Sequence, residues 1–280
     1  MTFVLISAFA ICALAANSVL IRMAVVDFGA DPAQFAVVRV AAGALVLMSL
    51  ATRGRAMVWP SPLRAAKGAI ALAGYIIGFS IAYRSLDTGL GALILFGSVQ
   101  LTIFAVVVVG GASIHRLQWI GTAIALAGLA YLLRPDGSDV SYIDIALMIG
   151  AGVAWGAYTL LGRGVSDPIQ NNAANFAIAL PLVAPLLLIS NGELGAGGLI
   201  CAVLSGAIAS GVGYAAWYTV VARIDAATAG IVQLSVPVIA AFGGLLFVNE
   251  PITLRLIVGA ALVLGGIAVS VIPQMRKRRP

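Results

Sequence analysis

The chain has 280 residues, 62% hydrophobic and 9% charged, with a formal net charge of +6. A soluble domain is about 45–50% apolar and about 25% charged, so too little charge is present to cover a water-facing surface, and a soluble fold is excluded. Nucleic acid is excluded as a partner too, because the basic residues stand singly or in two short clusters beside apolar runs; lipid headgroups are the expected partner instead.

A membrane-spanning helix needs about 20 mostly apolar residues. Runs of that kind lie near 3–24, 33–52, 67–86, 88–110, 117–133, 143–162, 172–190, 199–221, 226–248 and 254–272, which predicts an all-α integral membrane protein of ten spans. The first run lacks a basic leader and reads as a retained span that holds Asn17. Span two opens with DPAQ, in which Asp31 caps a helix whose first residue is Pro32. It carries Arg39, the one charged side chain well inside a span. Span three aligns Tyr75, Phe79 and Tyr83 on one face, with Trp59 ahead of it and Trp119 in span five as interfacial residues. Span four is interrupted by FGSVQ, with Gly97 and Gln100, and span six carries Trp155 and Tyr158. Span seven opens with DPIQ, a second copy of the Asp-Pro start. Span eight holds Tyr214, Trp217 and Tyr218, and span nine holds Gln233 and Pro237. Tyr83 and Tyr218 lie close enough to helix ends to join the interfacial belt.

Orientation follows from the positive-inside rule. With both termini cytoplasmic, eleven basic residues fall inside and four (Arg22, Arg84, Arg134 and Arg255) outside.

The chain also repeats itself. DPAQ matches DPIQ, the fifth span matches the tenth with Gly121 on Gly259 and Gly128 on Gly266, and Asp87 matches Asp225 before spans four and nine. Five spans per copy force the second copy upside down, so residues 1–135 and 141–273 are expected to form inverted five-helix repeats, followed by a basic cytoplasmic tail, 274–280. Inverted repeats belong to transporters whose substrate site lies near the midplane between the halves.

Pro237 deletes one backbone donor and leaves the carbonyl of Gln233 unpaired in a continuous helix. Lipid tolerates such a break only where it faces protein or a watery cavity. With Gly97 as its counterpart in span four, it marks a hinge beside a hydrated interior, or else a kink that only serves packing. The rings of Tyr75, Phe79, Trp155 and Tyr214 either line that cavity or pack helices together. Asn17, Gln100 and Gln233 either meet the substrate or bond across helices. Arg39 either holds a substrate carboxylate or snorkels to the headgroups.

No zinc, phosphate-loop or nucleophile motif occurs, His115 is the single histidine, and both cysteines lie in apolar runs, so neither an enzyme nor a metal or cofactor site is expected. No Asp or Glu sits deep in a span, which argues for facilitated diffusion or exchange rather than a proton relay.

The stretch SVPVIAAFGGLLFVNEPITLRLIVGAALVLGGIAV (235–269) resembles the closing two helices of an EamA domain of the drug/metabolite transporter superfamily, with Pro237, Glu250, Gly259 and Gly266 in the family's places. AWGAY (154–158) is similar to the Trp-containing start of that repeat, whereas LAANS (14–18) and GGASIHR (110–116) depart from it in the first half. The resemblance implies ten helices in two inverted halves, a bacterial inner-membrane location and export of amino acids or related metabolites. The branch that exports aromatic amino acids is the most similar. The expected function is export by alternating access. Its rivals are a multidrug or lipophilic-cation exporter, which calls for an acidic cavity, a channel, and a non-transporting membrane protein.

Overall fold

A computed structural model describes residues 2–111, 115–132, 141–224, 232–233 and 235–276. The turn that holds Asp225, the loop residue Arg134 and most of the basic tail lie outside the described residues. Among the described residues, ten helical rods follow one another: α1 (Thr2–Val26), α2 (Pro32–Ala51), α3 (Pro62–Ala82), α4 (Thr88–Val109), α5 (Arg116–Leu132), α6 (Tyr142–Leu161), α7 (Pro168–Val183), α8 (Gly195–Val221), α9 (Ser235–Phe247) and α10 (Leu254–Arg276). Seven of them, α1 to α4 and α6 to α8, are long and apolar enough to cross a membrane, α7 by way of its extension to Leu188. The apolar stretches of the other three are shorter as described: 17 residues in α5, 13 in α9 and Leu254–Ser270 within α10.

Helix starts obey local chemistry. Asp31 Oδ1 accepts from the backbone N–H groups of Ala33 and Gln34, each at 2.9 Å, and Asp167 Oδ1 accepts from Gln170 N at 3.0 Å. Pro32, Pro62 and Pro168 occupy first helical positions, where the missing donor costs nothing. Helices α3 and α7 therefore begin several residues before hydropathy alone places them.

The glutamine of each Asp-Pro motif then clamps a loop from elsewhere in the chain. Gln34 Nε2 donates to Ser190 Oγ and Gly192 O in the α7–α8 loop, at 3.0 and 2.6 Å. Gln170 Oε1 accepts from Val58 N in the α2–α3 loop at 2.9 Å, and Arg55 pairs with Asp167 beside it at 2.6 Å. One motif stands at each end of the bundle.

Irregular backbone lies where sequence reading did not place it. Helix α4 runs α-helical through Gly97, and Pro237 is buried at the third position of α9, while residues 225–231 and 234 ahead of it lie outside the described residues. The expected hinge at Gly97 does not interrupt its helix. Instead α7 passes through Pro181 into a 3-10 turn, Ala184–Leu188, and α8 is π-helical over Ser205–Val212.

Helices α3 and α4 pack on α6, while α1 packs on α8 and α9. Helix α2 packs on α7 and on the π-helical part of α8, and α5 pairs with α10. At the Asp31 end, an ion-pair group ties four rods together. Arg22 Nε donates to Glu250 Oε1 at 2.6 Å and Arg22 Nη2 to Asp87 Oδ1 at 3.1 Å, while Glu250 Oε2 accepts the N-terminal N–H of α4, Thr88 N, at 2.7 Å. Asn249 turns the chain for this with a left-handed φ of 55°, a conformation asparagine tolerates.

Trp59 and Trp119 point outward, as interfacial residues do. Tyr83 and Tyr218 do not belong to that belt. Both are fully buried, Tyr83 donating to Thr88 O and Tyr218 to Tyr158 O, because a phenol at a packed helix end is satisfied by a neighbouring carbonyl rather than by headgroups.

Candidate binding site

Arg39 is entirely removed from solvent, seven residues into α2. A guanidinium so placed either reaches the interface or finds partners inside, since leaving it in lipid costs roughly 2.5–3.5 kcal/mol. It does not snorkel. Its Nε donates to Ser210 Oγ at 3.0 Å and its Nη2 to Tyr214 OH at 2.7 Å and Tyr75 OH at 3.1 Å. Its carbon centre stands 4.9 Å from the Phe79 ring centroid and 5.3 Å from that of Tyr75, a cation–π arrangement. Every one of these partners is neutral, and Nη1 has none.

The π-helical turn of α8 is what makes this arrangement possible. Residues five apart stand about 140° apart around an α-helix, whereas i→i+5 bonding stacks them. Ser205 and Ser210 consequently both donate to one atom, Asn17 Oδ1, at 2.7 and 3.0 Å. Asn17 is held in turn by its own Nδ2, which donates to Ala13 O at 3.2 Å. Gly206 lies between the two serines with its Cα against the carbonyl of Arg39, and a Cβ there has no room. The hydrogen-bond chain has one direction: guanidinium to Ser210 hydroxyl to Asn17 carbonyl.

Aromatic rings close around the cation. Tyr75 lies 4.8 Å from Trp155 and 5.1 Å from Phe79, and Trp155 lies 4.7 Å from Tyr214, with tilted planes that suit ring quadrupoles. Trp155 Nε1 donates to Gln233 Oε1 at 3.4 Å, which leaves Gln233 Nε2 unpartnered and buried. Beyond Trp155, Tyr158 donates to Asn172 Oδ1 at 2.7 Å and accepts from Asn175 Nδ2 at 3.3 Å.

Seven residues singled out from sequence thus meet in one buried cluster: Asn17, Arg39, Tyr75, Phe79, Trp155, Tyr214 and Gln233. Gln100 is not among the buried set and lies half-buried on α4. Sequence reading missed Ser205, Ser210, Asn172 and Asn175. The two serines are invisible to a 3.6-residue period, and their one signal is the small-residue run SGAIASG (205–211), which reads as a packing face.

Comparison with known proteins decides the family. Residues 143–272 match the EamA-like transporter family. An uncharacterized protein of Pseudomonas aeruginosa is 42% identical over 274 residues, 97% of this chain and 95% of that protein. The chain belongs to the EamA-like transporter family. Like the threonine/homoserine exporter RhtA of Escherichia coli, to which it is 28% identical over 199 residues (66% of this chain, 62% of that protein), it is a membrane transporter rather than an enzyme by family. A solved crystal structure shares its fold over 99% of both chains, with a TM-score of 0.70 at 18% identity.

Proposed function

We propose that this transporter is a bacterial inner-membrane carrier that exports small carboxylate-bearing metabolites, amino acids among them, by alternating access of two inverted halves. One observation carries the reading: a fully buried arginine, ringed by aromatic side chains and neutral hydroxyls, with one guanidinium nitrogen unpartnered. Such a charge is a standing cost in a bundle, and a carboxylate offsets it through charge-assisted hydrogen bonds. The same charge disfavours a lipophilic-cation exporter. The named relative RhtA exports threonine and homoserine, which supports amino acids as cargo. The ring cluster admits apolar and aromatic side chains as well.

Packing supports the inverted repeat. Exchanging the halves turns α3 on α6 into α8 on α1, α4 on α6 into α9 on α1, and α3 on α7 into α8 on α2, and all six pairs occur. In the register that sets Gly121 on Gly259, the contact of Gly121 with Ser270 becomes that of Gly259 with Leu132. Likewise Gly128 against Val263 becomes Gly266 against Ala125. Helices α5 and α10 thus run antiparallel through a self-complementary glycine face, the relation an in-plane two-fold axis produces. In the proposed orientation the Asp31 end, with its Arg22–Glu250 group, faces outward and both termini face the cytoplasm. The cluster is closed to solvent as described, an occluded arrangement that rocking of the halves opens to either side.

Counterflow in proteoliposomes tests the reading. Vesicles preloaded with unlabelled amino acids, offered singly, are expected to accelerate labelled uptake saturably, and Arg39→Gln to abolish that acceleration. Uptake indifferent to internal substrate makes the protein a pore, and accumulation driven by an imposed pH step overturns facilitated exchange.

A further inference from the structure

An amino acid brings two charges, and the cluster is equipped for one. Three side-chain acceptors of the cluster are already engaged: Ser210 Oγ by the guanidinium, Asn17 Oδ1 by two serine hydroxyls, Gln233 Oε1 by the Trp155 indole. The two nitrogens left over, Arg39 Nη1 and Gln233 Nε2, are donors. Tyr75 OH accepts from both Arg39 and Tyr214, so its own proton is a third donor.

Among the described residues, an α-ammonium finds no charged partner in the cluster. Asp144 is the one buried carboxylate among the described residues, and it is committed at the Asp31 end to Arg84 at 3.2 Å and Ser85 at 2.9 Å. The ring faces of Tyr75 and Phe79, natural seats for an ammonium, already hold the guanidinium. Asn175 Oδ1 is an unpartnered acceptor, but it is neutral, lies against Gly68 and is separated from Arg39 by the Trp155–Tyr158 pair. A neutral amide takes one hydrogen bond and leaves the charge uncompensated, with a fixed cation nearby repelling it.

We infer that the site reads the carboxylate and not the ammonium, so that deaminated acids, the 2-oxo acids, are cargo at least as good as the amino acids with the same side chain. This rests on the carrier reading above and sharpens it. The chain would then discharge overflow 2-oxo acids, products of a transamination or deamination step, and leave amines in the cell.

The test uses the full chain in proteoliposomes and two matched series. One holds L-phenylalanine, phenylpyruvate and phenethylamine; the other holds L-threonine and 2-oxobutanoate. In at least one series the 2-oxo acid is expected to exchange as fast as its amino acid or faster. Phenethylamine is expected to compete at least tenfold more weakly than either partner. A 2-oxo acid tenfold slower than its amino acid in both series overturns the inference while leaving the carrier reading standing, and so does phenethylamine competing as well as phenylpyruvate. No exchange by any member, with the protein folded by its thermal transition, sinks the carrier reading itself. The compound series needs no variant, so misfolding of an Arg39 substitution cannot obscure the outcome.

Discussion

Helices α2 and α7 begin alike and diverge eight residues after their capping aspartates. Both start with an aspartate cap, a proline in the first turn and a glutamine that clamps a distant loop. At the eighth position past the aspartate, α2 has Arg39 and α7 has Asn175, and each presses against a glycine of a neighbouring rod, Gly206 for Arg39 and Gly68 for Asn175. The scaffold is shared while the chemistry is not. One side-chain difference at matching places puts a cation on one side of the buried cluster and an amide on the other.

Four experiments test the contrast between the two halves. The largest effect is expected from the pair at the eighth position. Arg39→Gln should cut carboxylate counterflow by about a hundredfold, roughly 2.7 kcal/mol, with thermal stability unchanged or raised because an unpaired buried charge is removed. Asn175→Ala should leave counterflow within about threefold, under about 1 kcal/mol. An Asn175 variant as inactive as Arg39→Gln would erase the asymmetry.

Next come the glycines. In Gly206→Ala the new methyl meets backbone, the Arg39 carbonyl, which cannot step aside, so a loss of about 1–3 kcal/mol or more is expected in detergent unfolding. In Gly68→Ala it meets the end of the Asn175 side chain, which can rotate away, so the loss should stay near the lower bound, about 1 kcal/mol.

Smaller effects are expected at the two ends of the bundle. Glu250→Gln weakens a nearly buried pair and the hydrogen bond to Thr88 N, and should cost about 1–3 kcal/mol. Arg55→Ala removes an exposed pair at the opposite end and should cost under about 1 kcal/mol.

The smallest contrast lies in the clamps. Gln170 is buried and Gln34 half-buried. Gln170→Ala should therefore cost about 1 kcal/mol and Gln34→Ala about half as much, each read as a shift in the denaturation midpoint.

Much of the frame was legible because hydropathy and capping are local. Nine of the ten rods lie within a few residues of the runs read from composition, and the two Asp-Pro starts behave as their chemistry requires. The first part of the ninth run lies outside the described residues, and its end agrees with that of α9. The irregular backbone of α8 was not legible, for a different reason. Gly97 looks like a weak point by residue type, but it sits inside an unbroken helix packed against Leu129. The real irregularity, Ser205–Val212, has no residue that forbids an α-helix. It is held open by its neighbours: Gly206 admits the α2 backbone, and two serines find one shared acceptor.

Composition and pattern by themselves determined that this chain lives in a membrane as a helical bundle, and that a set of polar and aromatic side chains lies at depth within it. They could do so because the bilayer filters every residue for the same property, so each position carries its own share of the signal. Tertiary structure alone decided that Arg39 turns inward, that Ser210 and Asn17 hold it, and that its remaining nitrogen has no mate. Those outcomes depend on where other helices cross, and a charge in a low-dielectric interior is governed by the few groups within reach, whatever their distance along the chain.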